Sequence, residues 1–201
     1  MDDSSPPDSG SRSLDPNVLE SILIQATSTP STHNLQPWRF LVVRDERNRR
    51  RLRAAARNRP EILRAPAVVV VLAYHFPDRS HVEPMLEAAV DAGACSPARA
   101  AEIRGRVASF GRWLDHVAWA SRTAMLAASR LLLAAESLSV AATLIEEFDA
   151  EALRADFGVP DDHSICCLIA LGHEPEPDPT PGRFGLDEVG FSEHFGQPWR
   201  A

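Results

Sequence analysis

Thr29-Pro30-Ser31-Thr32-His33-Asn34-Leu35-Gln36-Pro37-Trp38-Arg39-Phe40 joins an amphipathic segment to the first strongly apolar one. Two prolines fix φ, and each disfavours the α region for the residue before it. Thr29 is therefore expected to end a helix, and Gln36 to be extended. Between the prolines stand Ser31, Thr32, His33, Asn34 and Gln36. These side chains donate and accept hydrogen bonds without a fixed charge, which suits a neutral, polar, planar ligand. The other reading is a proline-bounded loop whose Ser31, Thr32 and Asn34 satisfy their own backbone.

Outward from this stretch the pattern is regular. Upstream, Asp15 is an N-cap followed by Pro16, and Val18, Leu19, Ile22, Leu23 and Ala26 recur on one helical face to about Ser28. Residues 1–14, acidic and Ser/Pro-rich, are expected to form a disordered arm. Downstream, Trp38 to Arg44 reads as a strand, and Asp45 caps an Arg-rich helix reaching about Arg57. Ala65 to Tyr74 is a continuous apolar run, the pattern of a central strand covered on both faces. Residues 75–112 carry short helical patterns at Val82 to Ala92 and Pro97 to Val107, placed to act as an insertion or lid over a site. Leu114 to Leu138 is a long Ala- and Leu-rich helix, whose small residues suit a core axis or a subunit interface. Asp149 caps a further helix ended by Gly158, and Ser164 to Gly172 is a second buried strand. Residues 15–172 thus read as one α+β domain, followed by an extended Pro-rich tail at 173–201.

Composition excludes several chemistries. All 21 basic residues are arginine, so there is no lysine for a Schiff base or a phosphate-loop motif. A net charge of -7 argues against a nucleic-acid surface, and the eight arginines between Arg44 and Arg59 are expected to line a solvated helix face. With no apolar run long enough to span a bilayer and no leader-like start, a cytoplasmic location is expected. Cys95, Cys166 and Cys167 read as buried thiols, and the seven histidines form no metal-ligand spacing.

Pro30, Ser31, Asn34, Gln36, Pro37 and Trp38 match the Pro-Ser-x-x-Asn-x-Gln-Pro-Trp signature of the nitroreductase family of flavin mononucleotide (FMN) oxidoreductases. The resemblance extends from about Asp15 to Val189. It includes the Ala-rich helix, the Leu-Ile-Glu-Glu-Phe-Asp turn and the Arg-Phe-Gly-Leu-Asp-Glu-Val tail. It implies an α+β fold with a mixed or antiparallel sheet flanked by helices. It also implies an intertwined homodimer, with residues 173–201 packing on the partner and FMN at the subunit interface.

Carried over singly, Ser31, Thr32 and Asn34 resemble the loop residues that touch flavin and ribityl chain, and Asn58 an amide at the flavin's pyrimidine edge. Leu144, Ile145 and Glu146 match a turn passing the central ring, where Glu147 replaces a frequent glycine. Arg183 matches a tail arginine that meets the phosphate, a contact suited to guanidinium geometry. The competing readings are a helix C-cap for Asn58, a solvated acidic pair for Glu146 and Glu147, and a surface arginine for Arg183. The family's opening Arg-x-x-x-Arg segment is missing: Asp3 to Asp8 holds no arginine, and the nearest is Arg12.

The expected activity is oxidation of NADH or NADPH and reduction of a small organic substrate by hydride transfer through flavin N5, with no side-chain acid or base. The alternatives are a non-catalytic flavin-binding or storage protein, and an FMN-dependent oxidase or dehydrogenase of a small metabolite. No metal, nucleic-acid or membrane partner is expected.

Overall fold

A computed structural model describes residues 13–172 and 182–199. The expectations for the opening arm, for Arg12 and for the proline run at 173–181 lie outside the described residues.

Helix α1 spans Pro16–Thr27, and the Asp15 carboxylate accepts from the Asn17 N–H at 2.8 Å. A single 3₁₀ turn, Thr32–Asn34, leads into β1, Trp38–Val43. Helices α2, Glu46–Ala55, and α3, Glu61–Arg64, precede β2, Ala67–Tyr74. Three helices follow: α4, Pro77–Ser80; α5, Val82–Asp91; and α6, Pro97–Gly111. The long helix α7 is His116–Ser137, then come β3, Ala142–Ile145, α8, Ala150–Phe157, and β4, His163–Leu171. A short α9, Leu186–Val189, and a Phe191 to Pro198 bridge shape the described part of the tail, which is not simply extended as expected.

The sheet order is β1-β2-β4-β3 and every pairing is antiparallel. Such sheets often leave one face wet, yet β2 is apolar throughout because both of its faces are covered. Ala67, Val69, Val71 and Ala73 join the core beneath α1 and α7, while Val68, Val70 and Leu72 join a second core with Leu52 of α2, Ile62 of α3 and Leu153 of α8. Along α7, Ala120, Ala124, Ala127, Ala128 and Ala135 are fully buried, so the small-residue stripe lets the helix lie close on the sheet. Gly158 ends α8 at φ 64°, the left-handed position that favours glycine.

A bulge between Val71 and Leu72 of β2 leaves Cys166 opposite no partner. Burial pushes the Cys166 thiol up to about 11 and the Cys167 thiol up to about 12, which keeps both protonated. No helix among the described residues is long and apolar enough to cross a membrane.

The arginine helix departs from its expected solvated face at one position. Arg49 is buried, and its guanidinium donates to the carbonyls of Arg44, Leu63 and Ala65 at 3.3, 2.8 and 2.5 Å. Backbone oxygens that would otherwise be unpaired between α2 and β2 find their donor there.

Candidate functional site

The loop between α1 and β1 forms a tight knot at the end of the sheet where Trp38 of β1 faces Ala73 of β2. Its 3₁₀ turn closes through Asn34 N–H to Ser31 O at 2.9 Å and Leu35 N–H to Thr32 O at 3.2 Å. Ser31 Oγ accepts from the Gln36 N–H at 3.0 Å. Gln36 is not extended as expected: it has φ 45°, and His33 and Asn34 have φ 53° and 58°. Proline favours extended backbone for its predecessor, and here the bond from the Gln36 N–H to Ser31 Oγ overrides that preference. Leu35 is fully buried and anchors the loop, which leaves Thr32 and Asn34 exposed on its outer surface.

Helices α5 and α6 lie against this knot. Asn34 Nδ2 donates to Met85 Sδ at 3.7 Å, and the His33 ring meets Phe110 edge-on at 5.5 Å. Phe110 in turn contacts Trp119 of α7 at 5.8 Å. An open groove of about 510 Å³ runs beside the loop, walled by His33, Arg106, Ser109, Phe110, Trp113 and Leu114. Arg106 is paired with Glu102 at 2.5 Å, so its charge is partly matched.

Beneath the loop sits a polar cluster that sequence reasoning missed. Arg39 Nη1 donates to the carbonyls of Trp38 at 2.7 Å and Gln36 at 3.3 Å, and Arg39 Nη2 contacts His81 Nε2 at 2.7 Å. His81 Nδ1 donates to the Leu35 carbonyl at 2.8 Å. The Tyr74 ring underlies both, 5.5 Å from the His81 ring and 5.6 Å from the Arg39 guanidinium carbon. Burial lowers the Arg39 pKa, opposed by Tyr74. Arg39 and His81 are 42 positions apart in the chain, and no spacing rule links them.

The remaining candidates gather elsewhere. β3 lies at the sheet edge opposite β1, about 14 Å away at ordinary strand spacing. Ile145 is buried with its side chain in the core, Leu144 is half-buried, and Glu146 and Glu147 are exposed just beyond the strand. Glu147 is not among the residues with positive φ, so a side chain stands there without left-handed strain. The Asp149 N–H donates to the Ala55 carbonyl at 2.8 Å, which brings the end of α2 beside this turn. Asn58 follows that helix end at φ 58°, with its N–H on Arg53 O at 2.9 Å and its side chain exposed. Its backbone therefore has the helix-terminating role, while its amide remains available. Arg183 is exposed in the tail segment. One chain thus forms two groups: Ser31, Thr32 and Asn34 at the β1 edge, and Asn58 with Leu144 to Glu146 at the β3 edge.

No group of three or more metal-ligating side chains exists among the described residues. The donor set is instead neutral amide, hydroxyl and backbone N–H, with arginine as the only fixed cation type. That chemistry fits a planar heteroaromatic cofactor carrying a phosphate.

Comparison with known proteins gives the same direction. The family model described as Nitroreductase family matches residues 10–173. A Thermus thermophilus protein named NADH dehydrogenase is 33% identical over 172 residues, covering 86% of this chain and 83% of that protein. An oxygen-insensitive NAD(P)H nitroreductase of Salmonella typhimurium is 30% identical over 166 residues, covering 77% of this chain and 76% of that protein. Among solved structures, an Exiguobacterium sibiricum protein in complex with FMN has a TM-score of 0.82 at 19% identity, covering 90% of this chain and 88% of that one. A nitroreductase-like protein of Streptococcus mutans gives 0.82 at 18% identity over 90% and 89% of the two chains. At such identity these structures establish the fold alone.

Proposed function

Because the chain belongs to the nitroreductase family, we propose that it is an FMN-dependent NAD(P)H oxidoreductase that reduces a small organic substrate. When bound, FMN supplies hydride transfer between a nicotinamide and that second substrate. The chain's own residues supply position and charge. Thr32 and Asn34 present neutral donors from one loop, the turn after Ile145 presents backbone N–H groups, and Asn58 presents an amide. Arg183 supplies the cation that a phosphate needs in a chain without lysine. The open groove along Phe110 and Trp113 leaves space beside the loop for a small planar substrate.

The observation that carries this reading is the exposed, neutral, rigidly folded loop of the family signature beside an apolar groove. A homodimer belongs to the same proposal, with the loop of one copy facing the β3 edge of the other. Supporting it, Leu126 and Leu133 of α7 are 58% and 62% exposed, and a second open groove of about 490 Å³ runs from Leu132 to Leu144. In a dimer this apolar face of α7 would be the one that a partner covers.

The test is the absorbance of the purified protein, then anaerobic addition of NADH and, separately, NADPH. The proposal expects bound yellow flavin that at least one nicotinamide bleaches. Bound flavin that neither reduces would point to a binding or storage protein, and protein that takes up no FMN would remove the flavin reading altogether.

A further inference from the structure

The loop holding Thr32 and Asn34 has three non-glycine residues at positive φ within four positions, His33, Asn34 and Gln36. Asparagine and histidine enter this region more readily than other side chains, but glutamine does not, and such a conformation persists only where the surroundings over-determine it. Two elements outside the loop do so. His81, between α4 and α5, grips the Leu35 carbonyl, and Arg39 of β1 grips the carbonyls of Gln36 and Trp38. His81 and Arg39 are bonded to each other, so the carbonyls of Leu35 and Gln36 in the loop and of Trp38 at the start of β1 are tied to one pair.

The partners fix the imidazole's protonation. A carbonyl only accepts, so Nδ1 carries the hydrogen. A guanidinium only donates, so Nε2 presents its lone pair. His81 is therefore neutral in this arrangement. A second proton on Nε2 would set two donors and two positive charges 2.7 Å apart, and the contact with Arg39 would open.

The other groups facing His81 offer no compensation. From β2 comes the Tyr74 ring, whose hydroxyl contacts Ser80 Oγ at 3.3 Å. Stacked on that ring at 5.0 Å is His163 of β4, itself bonded to Asp162 at 2.7 Å. The Asp162 carboxylate is thus engaged with another histidine.

We propose that His81 and Arg39 together hold the signature loop in its left-handed shape. Resting on the reading of that loop as part of a flavin site, this makes His81 and Arg39 positioning residues.

The test compares the wild type, His81→Gln and His81→Leu. Glutamine keeps one donor and one acceptor on its amide and does not titrate; leucine keeps neither. Amide exchange of Asn34, Leu35 and Gln36 reports the loop directly, with the β2 amides as reference. At pH 8 the wild type and His81→Gln should protect the loop alike, with protection in His81→Leu about tenfold lower, the loss of one hydrogen bond to a charged group. Riboflavin affinity should follow the same order, free of the FMN phosphate, which itself titrates near pH 6.

A loop as weakly protected in His81→Gln as in His81→Leu would overturn the proposal. So would a fully protected loop in His81→Leu. If exchange behaves as expected but neither FMN nor riboflavin binds at any pH, the clamp stands and the flavin reading fails.

Discussion

Ser31 and Asn34 sit three residues apart in one loop, yet the structure gives them different work. Ser31 Oγ is engaged with the Gln36 N–H, whereas Asn34 is exposed with only a weak sulfur contact. Ser31→Ala should therefore lower the stability of the flavin-free protein by about 1 kcal/mol, the net value of one hydrogen bond, as read by urea unfolding. Asn34→Gly, which suits the left-handed φ of 58° and removes only the amide, should leave that stability nearly unchanged and weaken FMN instead. If both variants lose stability equally without flavin, Asn34 is a turn residue only. Arg183 yields to a comparison of ligands: Arg183→Ala should weaken FMN far more than riboflavin, and added salt should narrow the gap. Equal losses for both would take Arg183 away from the phosphate. His75 is buried against Ser164 Oγ at 2.8 Å, and burial followed by His163 lowers its pKa. The unfolded chain then binds the proton more readily, so stability is complete above the unfolded value of about 6.5 and is lost as pH falls below it. Thermal melts from pH 7.5 to 5 should show that loss, with His75→Gln flattening part of the curve; an unchanged slope would mean that other groups account for it.

At the scale of elements, local chemistry in the sequence was readable wherever a single residue carries it. Asp15, Asp45 and Asp149 cap helices with their side chains as their positions before apolar periods imply, and Gly158 closes α8. The apolar run ending at Tyr74 is a strand buried on both faces, and the helical patterns in 75–112 became α5 and α6. What failed were features set by distant partners. The left-handed Gln36 depends on Ser31, the clamp joins β1 to the start of α5, and the burial of Arg49 depends on carbonyls at Leu63 and Ala65. No period or spacing encodes such contacts, and the run of arginines concealed Arg49, which is buried. Arg49→Met should accordingly destabilise the protein by about 3 kcal/mol, because charged-group hydrogen bonds are lost and their buried carbonyls are left unpaired. Arg50→Met, which breaks only an exposed pair with Glu46, should cost less than about 0.5 kcal/mol. Similar urea midpoints for the two variants would contradict the distinction.

At the scale of the whole molecule, the family signature made the α+β architecture legible, whereas the division of the candidate site did not show in the sequence. Ser31, Thr32 and Asn34 lie at one edge of the sheet, and Leu144 to Glu146 lie beyond the other. A two-fold pair of chains brings the same two edges together twice, so each flavin would take its loop from one copy and its turn from the other. Light scattering should accordingly report a dimer at micromolar concentration, and truncation after Gly172 should weaken it. The most direct measurement is complementation between two blocked variants, Thr32→Trp and Glu147→Trp, both at exposed positions. Each alone should bind almost no FMN. After the two are unfolded together and refolded, half of the dimers are mixed, and every mixed dimer has one site free of both tryptophans. The account predicts recovery of about a quarter of the wild-type bound flavin, from random pairing of equal subunits. No recovery, from variants that refold to dimers as the wild type does, would place the whole site within one chain and contradict it.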